Sequence, residues 1–383
     1  MASTHIISAD SHMLEPADLW VSRVNNKFKD QAPRVVATEG RMGVCLTAPG
    51  IRPFPVSGLS AAGRSGEALK QFFGSGYDAI RPSGWDPVER IKDQDIDGVE
   101  SEVLYTSLGM PLFGLADHEL QRDCFRVYND WLAEFCSHSP KRLVGIALIA
   151  LDDIGEAVKE MHRCRKMGLR GVMCWGFAPE GRPYSSKIYD PFWATAAELD
   201  MPISLHVITA AGKSPVGRAT KDISESEKDS PGISTVGYYL FMTADVQQSL
   251  FTIVMSGVLE RYPNLKLVSA ENDTGWLPHF MYRLDHAYDK YGVMSGIHQF
   301  GMKPSEYLKR QLWATFQDDP VGPATYKFFG EDKYMWASDF PHTDSTWPHS
   351  REVIKTDFAG VPEDVTRKIV YENAAKLYGI DLN

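Results

Sequence analysis

The sequence predicts an α/β fold, namely a (β/α)8 or TIM barrel with long insertions after the first and fifth barrel strands. Eight short apolar runs alternate with longer amphipathic segments, and most runs are continuously apolar, as strands buried on both faces are. Because parallel strands need crossover helices, eight such repeats favour a closed parallel barrel. Polar side chains follow several different strands, whereas an open doubly wound sheet places its site at one switch point.

The predicted elements follow one another along most of the chain. The eight strands are expected at residues 5–9, 100–106, 143–150, 169–175, 202–207, 265–270, 312–316 and 334–338. Apolar residues at helical spacing predict helices at 120–135, 152–167, 241–262, 350–358 and 362–378. We expect all of them to belong to one metal-dependent barrel domain that spans residues 1–383.

Two segments of the chain exceed the usual length of a loop inside a compact domain. Residues 16–84 contain Pro53, Pro55 and a glycine-rich stretch, and we interpret them as an insertion or cap segment. Residues 209–236 are rich in Lys, Ser, Asp and Gly and are expected to form a long active-site loop. A surface insertion without a role at the site is the alternative for the second segment.

Composition and charge exclude several classes of protein. The chain has 40 basic and 50 acidic side chains, a formal net charge of −10, and no lysine–arginine cluster, which argues against nucleic acid as a partner. It has no apolar run near the roughly 20 residues of a membrane span and no leader pattern at its start. Five scattered cysteines without CxxC spacing suit a reducing cytoplasm.

Histidines and carboxylates stand at the ends of four predicted strands. The candidates are Asp10, His12 and Glu15 after the first strand, His206 after the fifth, Glu271 after the sixth, and Asp339 and His342 after the eighth. Singly, a histidine there is often a hydrogen-bonded core residue, and an aspartate often caps the next helix. Together, at one barrel rim, these carboxylates would repel unless a cation holds them. The pattern therefore predicts a metal site.

The donor types limit the choice of metal but do not identify a single ion. Thiolates are absent from the candidate set, and mixed imidazole–carboxylate sites suit iron, manganese or zinc. A mononuclear catalytic site needs about three or four protein ligands and one open position. Because the candidates exceed that number, the rim has enough ligands for two metals.

The order Asp10-x-His12, His206 and Asp339 is similar to the metal motif of the amidohydrolase superfamily. Within it, the segment RYPNLKLVSAENDTGWLPHFMYRLD at 261–285 resembles the strand-six motif of the amidohydrolase-related branch with the aminocarboxymuconate-semialdehyde and resorcylate decarboxylases. That branch commonly has His-x-His or Glu-x-His as the first pair. It usually places a histidine where this chain has Glu271 and Asn272.

These departures change the expected reaction. The motifs ADSHMLEP and AENDTGW are similar to nonheme diiron monooxygenases of this fold. That likeness implies an oxidoreductase with two Fe(II), an external electron donor and a small organic substrate, including CoA-linked ones.

Two other reactions stay open, with zinc or manganese as the metal. In a hydrolase of an amide, ester or lactone bond, Asp339 would act as general base while His206 or His342 polarises the carbonyl. In a nonoxidative decarboxylase, Asp339 would protonate the carbon that loses the carboxylate. For each reaction we expect a homo-oligomer that forms through residues 16–84.

Overall fold

A computed structural model describes residues 5–38, 42–210, 214, 216 and 233–381. The predicted loop at 209–236 therefore lies mostly outside the described residues. In chain order the described strands are β1 (Ile7–His12), β2 (Arg34–Ala37), β3 (Val44–Ala48), β4 (Ile51–Pro55), β5 (Ser101–Tyr105), β6 (Leu143–Leu148), β7 (Gly171–Cys174), β8 (Ile203–His206), β9 (Leu267–Ala270), β10 (Leu312–Phe316) and β11 (Tyr334–Trp336).

The predicted barrel is confirmed, because β1 and β5 to β11 form one sheet of eight strands in chain order. Each neighbouring pair in that order is parallel. The seam between β1 and the chain after β11 is closed by two backbone hydrogen bonds. His12 donates to the carbonyl of Phe340 at 2.7 Å, and Asp339 donates to that of Asp10 at 3.0 Å. All eight carboxyl ends of the strands therefore meet at one rim.

Helices connect the strands. They are α1 (Leu19–Arg23), α2 (Gly66–Phe72), α3 (Pro87–Asp97), α4 (His118–Cys136), α5 (Ile154–Lys166), α6 (Asp190–Glu198), α7 (Ile233–Phe241), α8 (Thr243–Met255), α9 (Val258–Arg261), α10 (Leu277–Tyr291), α11 (Pro304–Gln311), α12 (Val321–Phe329), α13 (Ser350–Asp357), α14 (Glu363–Arg367) and α15 (Asn373–Tyr378). Short 3₁₀ turns cover Asn26–Phe28, Ser57–Leu59, Tyr77–Ala79, Pro82–Gly84, Pro111–Gly114 and Lys187–Tyr189, and a π turn covers Lys368–Glu372.

Local sequence explains where several helices begin. The carboxylates of Asp86, Asp117 and Asp153 accept hydrogen bonds from backbone N–H groups in the first turns of α3, α4 and α5. The single helix expected at 241–262 is instead divided into α8 and α9, with Gly257 between them at φ 74°. That left-handed conformation is favourable for glycine and ends a helix.

Close packing between α4 and β6 supports the barrel wall away from the rim. Gly145 of β6 leaves room for two buried leucines, since a Cβ added there would lie 2.6 Å from Leu169 and 2.9 Å from Leu132. Leu132 is fully buried on α4. Its contacts are those of an ordinary core residue.

The segment at 16–84 contains a small antiparallel sheet, in the order β2-β3-β4. It lies against the β1 and β11 side of the rim. Tyr77 donates its hydroxyl hydrogen to the carbonyl of Glu15 at 2.6 Å, and Thr343 donates to that of Gly58 at 2.8 Å. These contacts place the segment beside the rim.

Among the helices of the described residues, none is long and apolar enough to cross a membrane.

Candidate metal centre

Four strands carry the candidate ligands to the rim. Asp10 and His12 lie within β1 and not after it, because the strand continues to His12 beyond the predicted end at residue 9. His206 is the last residue of β8. Glu271 directly follows β9, and Asp339 lies three residues after β11. Their side chains converge in the mouth of the barrel.

The backbone at two of these residues is strained. Glu271 has φ 53° and Asp339 has φ 54°, in the left-handed region that few residues other than glycine adopt. Such conformations cost about 1–3 kcal/mol each and cluster at functional sites, where the surrounding structure enforces them. Both carboxylates face His12, with Glu271 Oε2 3.3 Å and Asp339 Oδ1 3.5 Å from the histidine Nε2.

The remaining separations within the cluster are equally short. His206 Nε2 lies 3.2 Å from Glu271 Oε2 and 3.7 Å from Asp10 Oδ1. His12 Nε2 lies 3.5 Å from the same Asp10 oxygen. These donor atoms face a common point, at separations usual for neighbouring ligands of one cation.

Within the described part of the chain, the atoms that face this point have no hydrogen-bond partner. They are Asp10 Oδ1, His12 Nε2, His206 Nε2, Glu271 Oε2 and both carboxyl oxygens of Asp339. Buried polar atoms are nearly always paired, so six unpaired ones in one place need an explanation. Imidazole nitrogen and carboxylate oxygen are ligands of divalent cations, so this donor set fits such a cation.

The polar atoms on the far side of three of these side chains form hydrogen bonds to other residues of the chain. His12 Nδ1 donates to the carbonyl of Thr106 at 2.8 Å, and His206 Nδ1 donates to that of Val207 at 3.0 Å. Both imidazoles therefore direct Nε2 toward the common point, as a metal-binding histidine does. Thr315 donates to Asp10 Oδ2 at 2.9 Å and accepts from the backbone of Glu271 at 2.9 Å, so one hydroxyl orients two ligands.

His342 joins the cluster from the chain after Asp339. Its ring stacks on His12 with centroids 3.9 Å apart, and its Nδ1 lies 3.1 Å from Asp339 Oδ1. Its Nε2 is hydrogen-bonded to Ser107 Oγ at 2.8 Å. One atom each from His12, Glu271, Asp339 and His342 lies within 4.8 Å of the others.

Glu15 was predicted from the sequence as a metal ligand, but the fold does not place its carboxylate in this cluster. It is buried, but one carboxyl oxygen accepts from the hydroxyl of Thr106 and the other accepts from the backbone of Leu108 at 2.8 Å. Its lone pairs are therefore engaged in fixing the segment after β5. Burial raises the pKa of Glu15 to about 7.

Burial and crowding displace the pKa values of the cluster. Burial first and the charge of Asp339 second raise the pKa of Glu271 to about 8, and burial beside Asp10 holds the pKa of Asp339 well above its usual range. Burial lowers the pKa of His12 well below its usual value. For His206 burial also lowers the pKa, but the carboxylates of Asp10 and Glu271 outweigh it, and the value rises to about 9.

The stability of the metal-free protein should therefore fall as the pH rises from about 7 to about 9. On folding, the pKa of Glu271 rises from 4.5 to about 8 and that of His206 rises from 6.5 to about 9. Both side chains therefore bind protons more tightly in the folded state, and the fold loses stability as the rising pH removes these protons. We expect the unfolding temperature to drop by about 2 °C or more. Mn²⁺ should reduce the drop, because its binding displaces the same protons.

Thermal unfolding of the chelator-treated protein across this pH range measures the effect. Glu271→Gln is the control, since it removes one of the groups responsible and should flatten the curve. An unfolding temperature that stays constant with pH in the metal-free protein would contradict the expected proton linkage.

Three hydroxyl residues contribute to the site but were not predicted from the sequence. Thr106 and Ser107 directly follow β5, and Thr315 lies inside β10. A polar pair at the end of a buried strand was a usable signal for the first two. Thr315 gave none, because a single threonine in a strand is common.

A barrel whose rim collects unpartnered histidine and carboxylate atoms has the architecture of a barrel metalloenzyme. The family model described as Amidohydrolase matches residues 81–380, which is well over half of the 383 residues. The chain belongs to the amidohydrolase family.

Curated relatives within this family are decarboxylases. Gamma-resorcylate decarboxylase of Rhizobium radiobacter is 28% identical over 307 residues, covering 76% of this chain and 86% of the relative. The 2-amino-3-carboxymuconate-6-semialdehyde decarboxylase of Dictyostelium discoideum is 23% identical over 272 residues, covering 70% of each chain. The resemblance predicted from the sequence is confirmed.

Solved structures share the fold. An amidohydrolase from Mycobacterium avium subsp. paratuberculosis K-10 superimposes over 100% of both chains with a TM-score of 0.80 and 21% identity. A 5-carboxyvanillate decarboxylase from Novosphingobium aromaticivorans, complexed with manganese and 4-hydroxy-3-methoxy-5-nitrobenzoic acid, covers 99% of this chain and 97% of its own with a TM-score of 0.68 and 21% identity.

These relatives correct the expected reaction class. The sequence favoured an oxidoreductase, a diiron monooxygenase, but the curated relatives are carboxy-lyases. Two Fe(II) ions are likewise not supported. The carboxylate-rich rim led to the wrong class because the number of anionic ligands sets how much charge a site can hold and leaves the reaction open.

Proposed function

We propose that this protein is a metal-dependent, nonoxidative decarboxylase of a small aromatic or unsaturated carboxylic acid. The proposal is supported most strongly by the convergence of six unpartnered atoms on one point of the rim, in a chain whose curated relatives are decarboxylases. In this proposal Asp10, His12, His206 and Asp339 hold one divalent metal, with Glu271 and His342 completing the site. Manganese is the favoured ion, because a related decarboxylase structure contains it.

When bound, the metal supplies a Lewis acid that holds the substrate carboxylate and withdraws charge from it. The reaction itself needs a proton at the carbon that loses CO₂. Asp339 is placed to give it, since its Oδ2 has no hydrogen-bond partner in the described part of the chain, and burial holds the pKa of this carboxyl above its usual range. The proton moves from Asp339 to the carbon, the C–C bond to the carboxylate breaks, and CO₂ leaves.

This step balances without a redox partner. The proton from Asp339 takes the place of CO₂, and the electron pair of the broken C–C bond remains with the substrate, so nothing is oxidised or reduced. The external electron donor expected from the sequence is therefore unnecessary. A solvent proton must then restore Asp339 after each turnover.

His342 provides the route for that proton. With a neutral imidazole whose Nε2 accepts from the hydroxyl of Ser107 at 2.8 Å, the ring proton is on Nδ1, which lies 3.1 Å from Asp339 Oδ1. Burial lowers the pKa of His342, which favours this neutral form. His342 thus lies between Asp339 and the hydroxyl of Ser107, as a proton relay to Asp339 requires.

Headspace measurement of CO₂ tests this function. We expect Mn²⁺-loaded protein under nitrogen to release one CO₂ per product molecule from at least one acid of a panel that includes gamma-resorcylate and 5-carboxyvanillate. Chelator-treated protein is the control and should release none. Product formation that requires dioxygen, or hydrolysis of amide and ester substrates without CO₂ release, would contradict the proposal.

A further inference from the structure

The seam between β1 and the chain after β11 divides the candidate metal ligands. Asp10 and His12 lie on the β1 side, while Asp339 and His342 lie on the other side. No regular ladder joins the two sides in the described residues, where the sheet order begins at β1 and ends at β11. The distance between ligands across the seam therefore depends on individual contacts.

Arg90 of α3 spans this seam from below. Its Nη1 donates to the carbonyl of His12 at 2.7 Å, and its Nη2 donates to the carbonyl of Phe340 at 3.2 Å. Its guanidinium carbon lies 4.7 Å from the centroid of the Phe340 ring. One side chain thus holds a metal-ligand candidate on one side of the seam and the residue after Asp339 on the other.

The guanidinium is itself fixed and shielded from water. Arg90 is fully buried, and the carboxylate of Glu102 accepts from its Nε at 2.6 Å and from its Nη2 at 3.0 Å. Gln94 donates to the same carboxylate at 2.7 Å. Because guanidinium is planar with donors in a fixed fork, this pairing fixes where the two carbonyls can lie.

We infer that Arg90 is a positioning residue that sets the separation of His12 and Asp339, and hence the affinity of the centre for a divalent cation. This inference rests on the proposed metal site. Outer partners that orient metal ligands typically change metal affinity by about 10–100-fold when removed. Arg90 acts in this way through the main chain, since it touches the backbone of the ligand segments and none of their unpartnered side-chain atoms.

Manganese affinity, measured from the electron paramagnetic resonance signal of free Mn²⁺, tests this role. Arg90→Lys keeps the charge but loses the fork, and we expect about 10–100-fold weaker binding with an altered signal of the bound ion. Lysine pairs less well with Glu102, so Arg90→Lys also lowers the folded fraction. The double variant Arg90→Met with Glu102→Met is therefore measured as well. The double variant leaves no unpaired charge and should show the same loss.

Leu132→Ala is the matched control, because it destabilises the barrel wall away from the rim. It should lower the unfolding temperature and keep the affinity of the wild type. Arg90 variants that bind within about threefold of the wild type would overturn the inference, as would an equal loss in Leu132→Ala. Failure of the wild type to bind Mn²⁺ would instead remove the proposed metal site itself, so the two failures are distinguishable.

Discussion

Replacement of Asp339 by asparagine is expected to lower the rate of CO₂ release by about 10²–10⁴-fold, the range for loss of a general acid. Asparagine has nearly the same shape and tolerates the left-handed backbone at this position, where φ is 54°. It lacks the acidic proton that the carbon must receive. The fold should therefore persist while the chemical step fails.

Steady-state assays on the folded variant measure this effect. Asp332→Asn is the matched control, since Asp332 is exposed and precedes β11, at the end of the barrel away from the rim. It should turn over at nearly the wild-type rate. Asp339→Asn activity within about threefold of the wild type would exclude Asp339 as the proton donor.

His206→Asn should remove most of the metal from the protein. Among the described residues Nε2 of His206 has no hydrogen-bond partner, and the side chain of asparagine is too short to reach the position of this nitrogen. We expect affinity to fall by more than about 100-fold, beyond the range typical of outer partners. Metal content after dialysis, measured by mass spectrometry, gives the result.

His279 offers a control of the same residue type. It lies on α10, is exposed, and contacts the ring of Tyr282 at a centroid distance of 6.5 Å. His279→Asn should keep the full metal content. Equal metal content in the two variants would mean that His206 is not a ligand.

The sequence predicted the barrel because its strands are buried on both faces and so appear as continuous apolar runs. The end of β1 was the exception. Asp10, Ser11 and His12 form a polar run typical of a loop, yet they continue the strand, because all three are buried at the mouth. A functional strand end therefore breaks the apolar pattern on which the prediction of strands relies.

The site was predictable as far as chain order and barrel geometry determine it. His206, Glu271 and Asp339 follow different strands, and a closed barrel alone brings them together. The partners that orient them were not predictable. Thr315 reaches Asp10 across 305 residues of sequence, and Arg90 reaches Phe340 across 250. Such pairs depend on the completed fold, and nothing local in the sequence marks them.

The hydrogen bonds of Glu15 could not be predicted from the sequence for the same reason. Its spacing from His12 is as suitable for a ligand as that of His342 from Asp339. The difference arises from Thr106 and Leu108, which occupy both oxygens of Glu15. Hydrogen bonding thus decides which carboxylates remain free for a cation.

In the function proposed above, the unpartnered rim atoms bind one divalent metal. Anomalous diffraction at the manganese edge from crystals soaked in Mn²⁺ tests it most directly. We expect one strong peak among Asp10, His12, His206 and Asp339, and we expect this peak to be lost in crystals of His206→Asn. A wild-type protein with no peak at the rim, or with its peak elsewhere on the molecule, would contradict it.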